Sequence, residues 1–419
     1  MLLLLAPLLG LVGVVAAELV PDGRIGYHVL RAQRAGLIDT GEHTPSPLGT
    51  TTDHFSECVA ITIGLGDRPG DSVVTSALRS PSYVGCEQAA EHLEELDRTD
   101  ALPAGRSYLR YWHGYAVVTR PALGVFGLAG ARWIGFAVLV VAVAGMVASV
   151  ARRFGPAPAA VLVAPALLTT DMVLGGLVLP HALGLATAWF GGWLTLTLVR
   201  RAPAWRTAAL AAGLAGALSA YADLMTTMPG ALALAVTGAA LGVRAGARPP
   251  AGPGWRVPVG AAVGWVAGLA WMWASKWMLA ATVVGVDAVV DNVRTQIEFR
   301  LAGEHGDVEP TPLRGLADVL ETWWHEPLTP WVLLGLVAMI SWVPARWRPS
   351  RTTWWTLGPV WLAVVVPVAG WFAALNNHTQ IHAWIVYRSL PIAAGALAAV
   401  TWIAVASRVL SERSVPDRA

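Results

Sequence analysis

Apolar runs separated by polar connections make up most of this 419-residue chain. A hydrocarbon core of about 30 Å is crossed by roughly 20 residues of α-helix, and somewhat fewer suffice when flanking residues help. Ten apolar segments approach or reach that length, at residues 2–17, 133–151, 157–174, 177–199, 207–222, 229–243, 257–282, 329–344, 354–374 and 389–407. The pattern predicts an all-α polytopic membrane protein with about ten transmembrane helices.

Two apolar segments have more than one interpretation. Residues 2–17 end in Val15-Ala16-Ala17, which suits a signal peptidase, but no positively charged residue precedes them. A signal peptide usually begins with such a charge, so a retained first helix is favoured over a cleaved signal. Residues 116–131 are apolar but contain Arg120-Pro121, and we expect an interfacial helix there rather than a span.

The resulting organisation has six parts. Residues 1–17 form the first transmembrane helix, and residues 18–132 form a large loop with interfacial helices. Transmembrane helices 2–7 occupy residues 133–282, a second loop covers 283–328, and helices 8–10 occupy 329–407. Residues 408–419 form a short tail.

The charges between the apolar segments predict an orientation. Cytoplasmic loops accumulate Arg and Lys, and every second connection carries only basic residues apart from Glu412 and Asp417. These are Arg152, Arg153, Arg200, Arg201, Arg206, Arg244, Arg248, Arg256, Arg346, Arg348, Arg351, Arg408, Arg413 and Arg418. The other acidic residues and all ten histidines fall in the opposite connections or at helix ends that face them. Both termini are therefore predicted to be cytoplasmic, with the two large loops outside.

Composition supports the membrane prediction. The chain is 55% hydrophobic and 13% charged, with a mean hydropathy of +0.55, well above the values of soluble domains. Its net charge of +2 gives no reason to expect nucleic acid as a partner. A bias toward Arg, Ala and Gly, with Lys276 as the single lysine, indicates a bacterial chain and hence the inner (plasma) membrane.

The two cysteines lie in the first loop. Cys58 and Cys86 can form a disulfide if that loop faces an oxidising exterior. The alternative is two unrelated buried thiols.

The outer side collects residues able to carry chemistry. Asp53 and Glu57 are four residues apart, which on a helix places both carboxylates on one face. Like charges push their pKa values apart, so such a pair can supply a general base and an electrostatic partner. A solvated helix face is the alternative.

Three ionisable residues fall near membrane depth. Asp171 and Asp223 lie at outer turns, and Lys276 lies inside an apolar segment. Ionisable groups in membranes are costly unless they are paired or face water, which makes these residues functional candidates. If the helix ends lie a few residues away, they are ordinary interfacial residues.

The last outer loop contains a histidine pair. His378 and His382 are four residues apart, a spacing that suits a metal on a helical face. No third ligand is evident nearby, so we expect no metal, although a divalent cation is possible. Contact of these histidines, Tyr387 and Arg388 with phosphate or sugar hydroxyls is favoured, because Arg binds phosphate bidentately and His donates readily. The alternative is that they are interfacial side chains at a helix end.

The layout resembles the GT-C superfamily of integral membrane glycosyltransferases, which have a long first outer loop with a carboxylate and more than eight further helices. The chain is also similar to an uncharacterised family of bacterial multi-spanning proteins. That family is marked by RYWHGY (residues 110–115) with a following Arg-Pro (Arg120-Pro121), and by an N-H-x-x-I-H-x-W-x-x-Y-R block (residues 377–388). The second resemblance implies no activity.

The GT-C resemblance implies a function and a set of roles. Such enzymes take sugars from polyprenyl-phosphate donors outside the membrane and pass them to a glycan or lipid acceptor, here in the cell envelope. It assigns the base to Asp53 with Glu57 as partner, and Asp22 is the alternative because the family carboxylate lies close behind the first helix. Arg388, His378 and His382 would hold the phosphate and His113 a sugar, with Tyr387, Lys276, Asp171 and Asp223 also assigned to substrate binding. No cofactor is implied.

Two other functions compete with this one. A transporter or flippase of a lipid-linked or small polar substrate predicts internal symmetry and broken helices, and no repeat is evident in the sequence. A non-catalytic scaffold of an envelope assembly, in contact with membrane lipids, predicts a degenerate carboxylate pair.

Overall fold

The structure, a computed structural model, describes residues 2–38, 41, 43–45, 51–83, 85–247, 252–301, 308, 311–342 and 351–413. Five charged residues used above to predict orientation lie outside this part of the chain: Arg248, Arg346, Arg348, Asp417 and Arg418.

Each of the ten apolar segments of the sequence overlaps a helix of the structure. These helices are α1 (Leu2–Glu18), α6 (Ala116–Phe154), α7 (Pro156–Leu168), α9 (Leu179–Arg201), α10 (Trp205–Ala222), α11 (Met228–Ala245), α12 (Arg256–Val284), α15 (Thr329–Trp342), α16 (Arg351–Ala374) and α19 (Ser389–Arg413). Within the described residues, six helices are long and apolar enough to cross a membrane, or seven if the bent pair of Leu3–Glu18 and Asp22–Arg34 is one span. The fold is therefore that of a helical multi-pass membrane protein, and the count of ten spans stays a prediction.

The first loop folds into short helices and two small hairpins. Its elements are α2 (Asp22–Arg34), β1 (His43–Pro45), β2 (Thr51–Asp53), α3 (His54–Thr62), α4 (Val73–Arg79), β3 (Pro81–Ser82), α5 (Cys86–Thr99) and β4 (Arg106–Ser107). Strands β1 and β2 pair antiparallel, with His43 opposite Asp53, and β3 and β4 pair antiparallel, with Pro81 opposite Ser107. A disulfide joins Cys58 of α3 to Cys86 of α5.

Further short helices fill the other connections on the same side of the bundle. They are α8 (Met172–Gly175), α13 (Val286–Leu301), α14 (Arg314–His325), α17 (Asn376–Ile381) and α18 (Ala383–Val386). The predicted second loop, 283–328, is thus largely helical where it is described. Helix α13 follows α12 after Gly285, which has the positive φ of 90° that glycine adopts without strain.

The segment 116–131, expected to be an interfacial helix, is helical on both sides of a kink at Gly127, and its interfacial position stays a prediction. Helix α6 (Ala116–Phe154) consists of two helical parts that meet at this kink, and the second part crosses the expected boundary at residue 132. Its only non-helical backbone angles are at Gly127, where φ is 67°. Pro121 is the sixth residue of α6, so its nitrogen lacks the hydrogen that would bond to the carbonyl of Val117, yet the backbone stays helical through it. The proline therefore does not end the helix, and glycine supplies the kink.

The helices alternate in direction and so separate the charges. Asp171 lies before α8, Asp223 directly after α10, and Asn376 at the start of α17. Helix α8 and helix α18, which follows α17, both contact β2 of the first loop, and the backbone carbonyl of Tyr221 at the end of α10 accepts a hydrogen bond from the backbone N–H of Gly114 at 2.7 Å. We call this the loop end of the bundle. The opposite ends of α6, α9 and α11 carry Arg152, Arg153, Arg200, Arg201 and Arg244.

Candidate functional site

A polar cavity lies at the loop end of the bundle. Residues of the first loop form one side, and residues of α17 and α18 form another, so the cavity lies between the two segments that the sequence singles out. It encloses about 590 Å³ of empty space, counting the part open to solvent. Its lining consists of Asp53, Phe55, Ser56, Val59, Tyr108, Arg110, Tyr111, Leu224, Thr226, Phe299, Arg300, His378, His382, Trp384 and Ile385.

Two arginines give the cavity a cationic wall. Arg300, 5% exposed at the end of α13, donates from Nη2 to the hydroxyl of Tyr111 at 2.6 Å. Arg110 donates from Nη1 to Gln296 Oε1 at 3.1 Å, and its guanidinium lies 4.6 Å from the ring centre of Tyr108. Neither arginine forms an ion pair with a carboxylate of the described chain. Their charges are therefore available to an anion in the cavity.

The histidine pair completes this wall. The rings of His378 and His382 lie 4.7 Å apart, edge to face. Burial lowers the pKa of His378 well below its usual value, and the charges of His382, Arg300 and Arg110 lower it further. His378 is therefore neutral at physiological pH, and it can donate one hydrogen bond without adding a charge.

Asp53 faces the cavity from the start of α3. It is the N-cap of that helix, and its Oδ1 accepts a hydrogen bond from the backbone N–H of Ser56 at 2.8 Å. Its Oδ2 lies 2.8 Å from Nε2 of His181, in the first turn of α9. Burial alone would raise the pKa of Asp53, but the bonds and charge of His181 and the bonds from Ser56 outweigh it and hold the pKa well below the usual range. Asp53 is therefore ionised.

The expected pair of Asp53 and Glu57 is not formed. Asp53 caps the helix instead of lying within it, so the four-residue spacing does not place the two carboxylates on one helical face. Glu57 is 3% exposed and pairs with Arg132 of α6, whose Nε donates to Oε1 at 2.9 Å. Glu57 does not line the cavity. Its ion pair fastens α3 to α6.

The alternative base, Asp22, also lies away from the cavity. Its Oδ1 accepts a hydrogen bond from Nη2 of Arg120 at 2.7 Å, and Glu18 Oε2 is 3.4 Å from the same nitrogen. Arg120 donates as well to the backbone carbonyls of Ala17 and Ile63, at 3.0 and 2.8 Å. This buried arginine joins α1, α2, α3 and α6, which gives the Arg-Pro motif a structural role.

His113 is buried beside the cavity without lining it. Its Nε2 donates to the backbone carbonyl of Tyr108 at 3.1 Å, and its Nδ1 lies 2.9 Å from the hydroxyl of Tyr115. Burial lowers the pKa of His113 well below its usual value, and the nearby charge of Lys276 lowers it further. His113 is thus a neutral residue that holds the 108–115 turn, and the structure does not bring it to a sugar site.

Lys276 is also a structural residue. It is fully buried in α12, and its ammonium donates to the carbonyl of Leu78 at 2.8 Å, to Ser80 Oγ at 3.0 Å and to the carbonyl of Ala77 at 3.4 Å. Three donors meet three acceptors at the C-terminal end of α4, where a cation is favoured. Its position inside an apolar helix is explained by this cap.

The remaining candidates pair with protein groups. Arg388 donates from Nη2 to Asp171 Oδ2 at 2.6 Å, although the two lie 217 positions apart. Tyr387 donates its hydroxyl to Glu326 Oε1 at 2.8 Å. Asp223 caps the turn after α10 and accepts from Thr226 and Thr227. None of these remaining candidates lines the cavity. The C-terminal motif therefore contributes only its two histidines, Trp384 and Ile385 to the cavity wall.

Sequence reasoning missed two of the residues that matter most here. Arg300 carries no local signal, because it ends an ordinary amphipathic helix among acidic residues. His181 was visible only as the start of an apolar segment, and its link to Asp53 spans 128 positions. Arg110 does carry a signal, since it begins the RYWHGY motif.

An apolar groove runs along the bundle from the other side of the same turn. Helices α6, α9 and α10 form it, with Gly114, Tyr115 and Tyr221 among its lining residues. Its empty volume is about 1270 Å³, counting the part open to its surroundings. Tyr108, Arg110 and Tyr111 of the 108–115 turn line the polar cavity, so one short turn borders both spaces.

The fold and the site together define a helical multi-pass membrane protein with a buried cationic cavity at the loop end of its bundle. Among the described residues, no group of three His, Cys, Asp or Glu side chains is arranged to hold a metal ion. A comparison with known proteins found no family model, no curated protein and no solved structure that matches this chain.

Proposed function

We propose that this protein is a membrane glycosyltransferase that moves a sugar from a polyprenyl-phosphate donor to an envelope glycan or lipid acceptor on the extracytoplasmic face. The observation that carries the proposal is one cavity lined both by an ionised carboxylate, Asp53, and by two arginines without carboxylate partners in the described chain. Such a cavity offers a base and an anion site together.

The cationic wall suits the phosphate of the donor. Arg110 and Arg300 each retain hydrogen-bond donors, and guanidinium groups bind phosphate oxygens with matched geometry. As the sugar leaves, negative charge grows on the phosphate oxygen, and fixed donors aimed at that oxygen stabilise the transition state.

The carboxylate suits the acceptor. The acceptor hydroxyl oxygen attacks the anomeric carbon, the bond from that carbon to the phosphate oxygen breaks, and the phosphate keeps the electron pair. The hydroxyl proton passes to Asp53. Because the pKa of Asp53 is low, the transfer of the proton is late, when the attacking oxygen has become acidic.

The apolar groove supports a lipid-linked donor. A polyprenyl chain needs an apolar surface at membrane depth, and the groove between α6, α9 and α10 provides one that is bordered by Gly114 and Tyr115 of the 108–115 turn. One amphiphilic donor would then place its phosphate in the cavity and its isoprenoid chain in the groove.

The test is sugar transfer in membranes from radiolabelled polyprenyl-phosphate sugars, with native membranes as the source of acceptor. Asp53→Asn keeps the helix cap, since Asn caps as well as Asp, but removes the base. We expect transfer to fall by a factor of about 100 or more. Asp100→Asn is the control, because Asp100 is exposed, distant from the cavity lining and in a left-handed conformation that Asn tolerates.

Three outcomes contradict the proposal. One is wild-type transfer by the Asp53→Asn variant in protein that is folded and present at normal levels. Another is the absence of transfer from every donor tested. The third is movement of a labelled lipid across the membrane without any new glycosidic bond, which would favour a flippase.

A further inference from the structure

Asp53 has a partner that lies behind the cavity wall. His181 is 1% exposed and does not line the cavity, yet its Nε2 lies 2.8 Å from Asp53 Oδ2. An ionised carboxylate can only accept hydrogen bonds, so this nitrogen carries a hydrogen. The orientation of Asp53 is therefore set by a residue from a different helix.

The second ring nitrogen of His181, Nδ1, faces a hydroxyl oxygen whose hydrogen is already donated to another group. His181 Nδ1 lies 3.5 Å from Thr226 Oγ1. The same hydroxyl is a donor to Asp223 Oδ1 at 2.7 Å, and a hydroxyl has only one hydrogen to donate. Toward His181 the oxygen can therefore act only as an acceptor, so a hydrogen bond between the two must be donated by Nδ1.

Further hydrogen bonds fix Asp223 in position, so the Thr226 hydroxyl continues to donate to it. Asp223 Oδ2 accepts from both the backbone N–H and the hydroxyl of Thr227, each at 2.8 Å. Gly184, one turn after His181 in α9, leaves room for the carboxylate, since a Cβ there would lie 2.8 Å from Asp223 Oδ1. The turn after α10 is thus packed directly on the helix that carries His181.

We propose that His181 is the positioning residue of Asp53 and that it acts as an imidazolium, donating from Nε2 to Asp53 and from Nδ1 to Thr226. The proposal rests on the function proposed above for Asp53. His181 does not touch the reacting atoms. It keeps the carboxylate ionised and turned toward the cavity while the acceptor binds.

The charges around this pair favour the arrangement. Among the described residues, Asp53 and Asp223 are the carboxylates that approach His181, and Arg110, Arg300, His378 and His382 line the cavity into which Asp53 points. The N-terminal end of α9 disfavours a cation. A full negative charge at hydrogen-bond distance outweighs the partial charge of a helix end.

The first measurement is independent of catalysis. In ¹⁵N NMR spectra of the detergent-solubilised protein with labelled histidine, the His181 signal is assigned by its loss in His181→Gln. We expect hydrogen on both ring nitrogens of His181 at pH 7. A signal from a ring with a single protonated nitrogen would overturn the proposal.

The second measurement is the pH profile of sugar transfer. Loss of the cation raises the pKa of Asp53, so the acid limb of the profile moves to higher pH in His181→Gln and His181→Leu, by about 1 to 3 pH units. Gln still donates one hydrogen bond, so we expect its maximal rate to lie above that of the Leu variant. His325→Gln is the control, because His325 is exposed on α14.

These readouts separate the two proposals. An unchanged acid limb in both His181 variants, with wild-type transfer intact, would contradict the role of His181 and leave the function of the protein standing. Absence of transfer in the wild type would contradict the function, and the NMR measurement would still decide the protonation of His181. Thermal unfolding of each variant shows whether it is folded.

Discussion

The buried histidines of this protein lie in different electrostatic surroundings. His113 and His378 are buried and have no carboxylate partner among the described residues, and burial holds the pKa of each well below its usual value. His181 is buried against Asp53 instead. A neighbouring carboxylate therefore distinguishes His181 from the other two buried histidines.

Because these histidines are neutral in the folded protein, we expect its stability to fall as the pH is lowered. The folded pKa of His113 is depressed, so the unfolded chain binds a proton that the folded one does not. The stability from a neutral His113 is present above the unfolded pKa of about 6.5 and is lost as pH falls below it, by up to about 1.4 kcal/mol per pH unit. We expect the thermal unfolding midpoint in detergent to fall between pH 7 and pH 5.

A variant isolates the contribution of His113. His113 has a φ of 55°, a conformation that Asn adopts readily, so His113→Asn removes the titrating ring without adding backbone strain. The variant should take up about one proton fewer on unfolding, which flattens the dependence on pH. His325→Asn, on an exposed surface, should keep the wild-type slope. An equal slope in His113→Asn would contradict the assignment.

At the scale of elements, small residues bring the helices together. Helices α10 and α12 pack backbone to backbone, because a Cβ at Gly268 would lie 1.8 Å from the carbonyl oxygen of Gly213, and one at Gly216 would lie 2.0 Å from that of Trp265. Close approach through small residues is a general mode of packing between membrane helices. In this protein it holds Lys276, on α12, against α4.

A matched pair of glycine variants tests this packing. Gly268→Ala forces α10 and α12 apart and should lower the free energy of unfolding by about 1 to 3 kcal/mol. Gly370→Ala, in α16, meets no atom within 4 Å and should be neutral or slightly stabilising, since Ala is the better helix former. Unfolding by detergent titration measures both. Equal effects of the two substitutions would show that the close contact does not exist.

At the scale of the whole molecule, the charges differ between the two ends of the bundle. The candidate cavity and the disulfide-linked loop lie at one end, and the arginines that close α6, α9 and α11 lie at the other. Since basic loops stay in the cytoplasm, we expect the cavity to face outward.

Cysteine labelling tests this orientation. The native cysteines form a disulfide and do not react, so a single introduced cysteine is the only target. Asp100→Cys should react with a membrane-impermeant maleimide in intact spheroplasts, whereas Arg201→Cys, at the exposed end of α9, should react only after permeabilisation. The reverse pattern would place the cavity in the cytoplasm.

The positions of the helices and the separation of charge were determined by the sequence itself. Both follow from local properties, because an apolar run forms a helix in lipid wherever it lies, and because loop charge acts loop by loop. The first-loop carboxylate Asp53 and the pair His378 and His382 could also be named, since each stands out within a short segment.

Only the tertiary structure decided which polar residues share the cavity. Asp53 pairs with His181, which lies 128 positions away, and Arg388 pairs with Asp171, which lies 217 positions away. Neither pairing can be predicted from the spacing of its residues in the sequence. Lys276, Asp22 and Glu57 look the same in sequence as residues of a site, yet each is paired with a group of the protein itself. Whether a buried charge faces a partner or a cavity depends on how the helices pack, and that packing is a property of the whole chain.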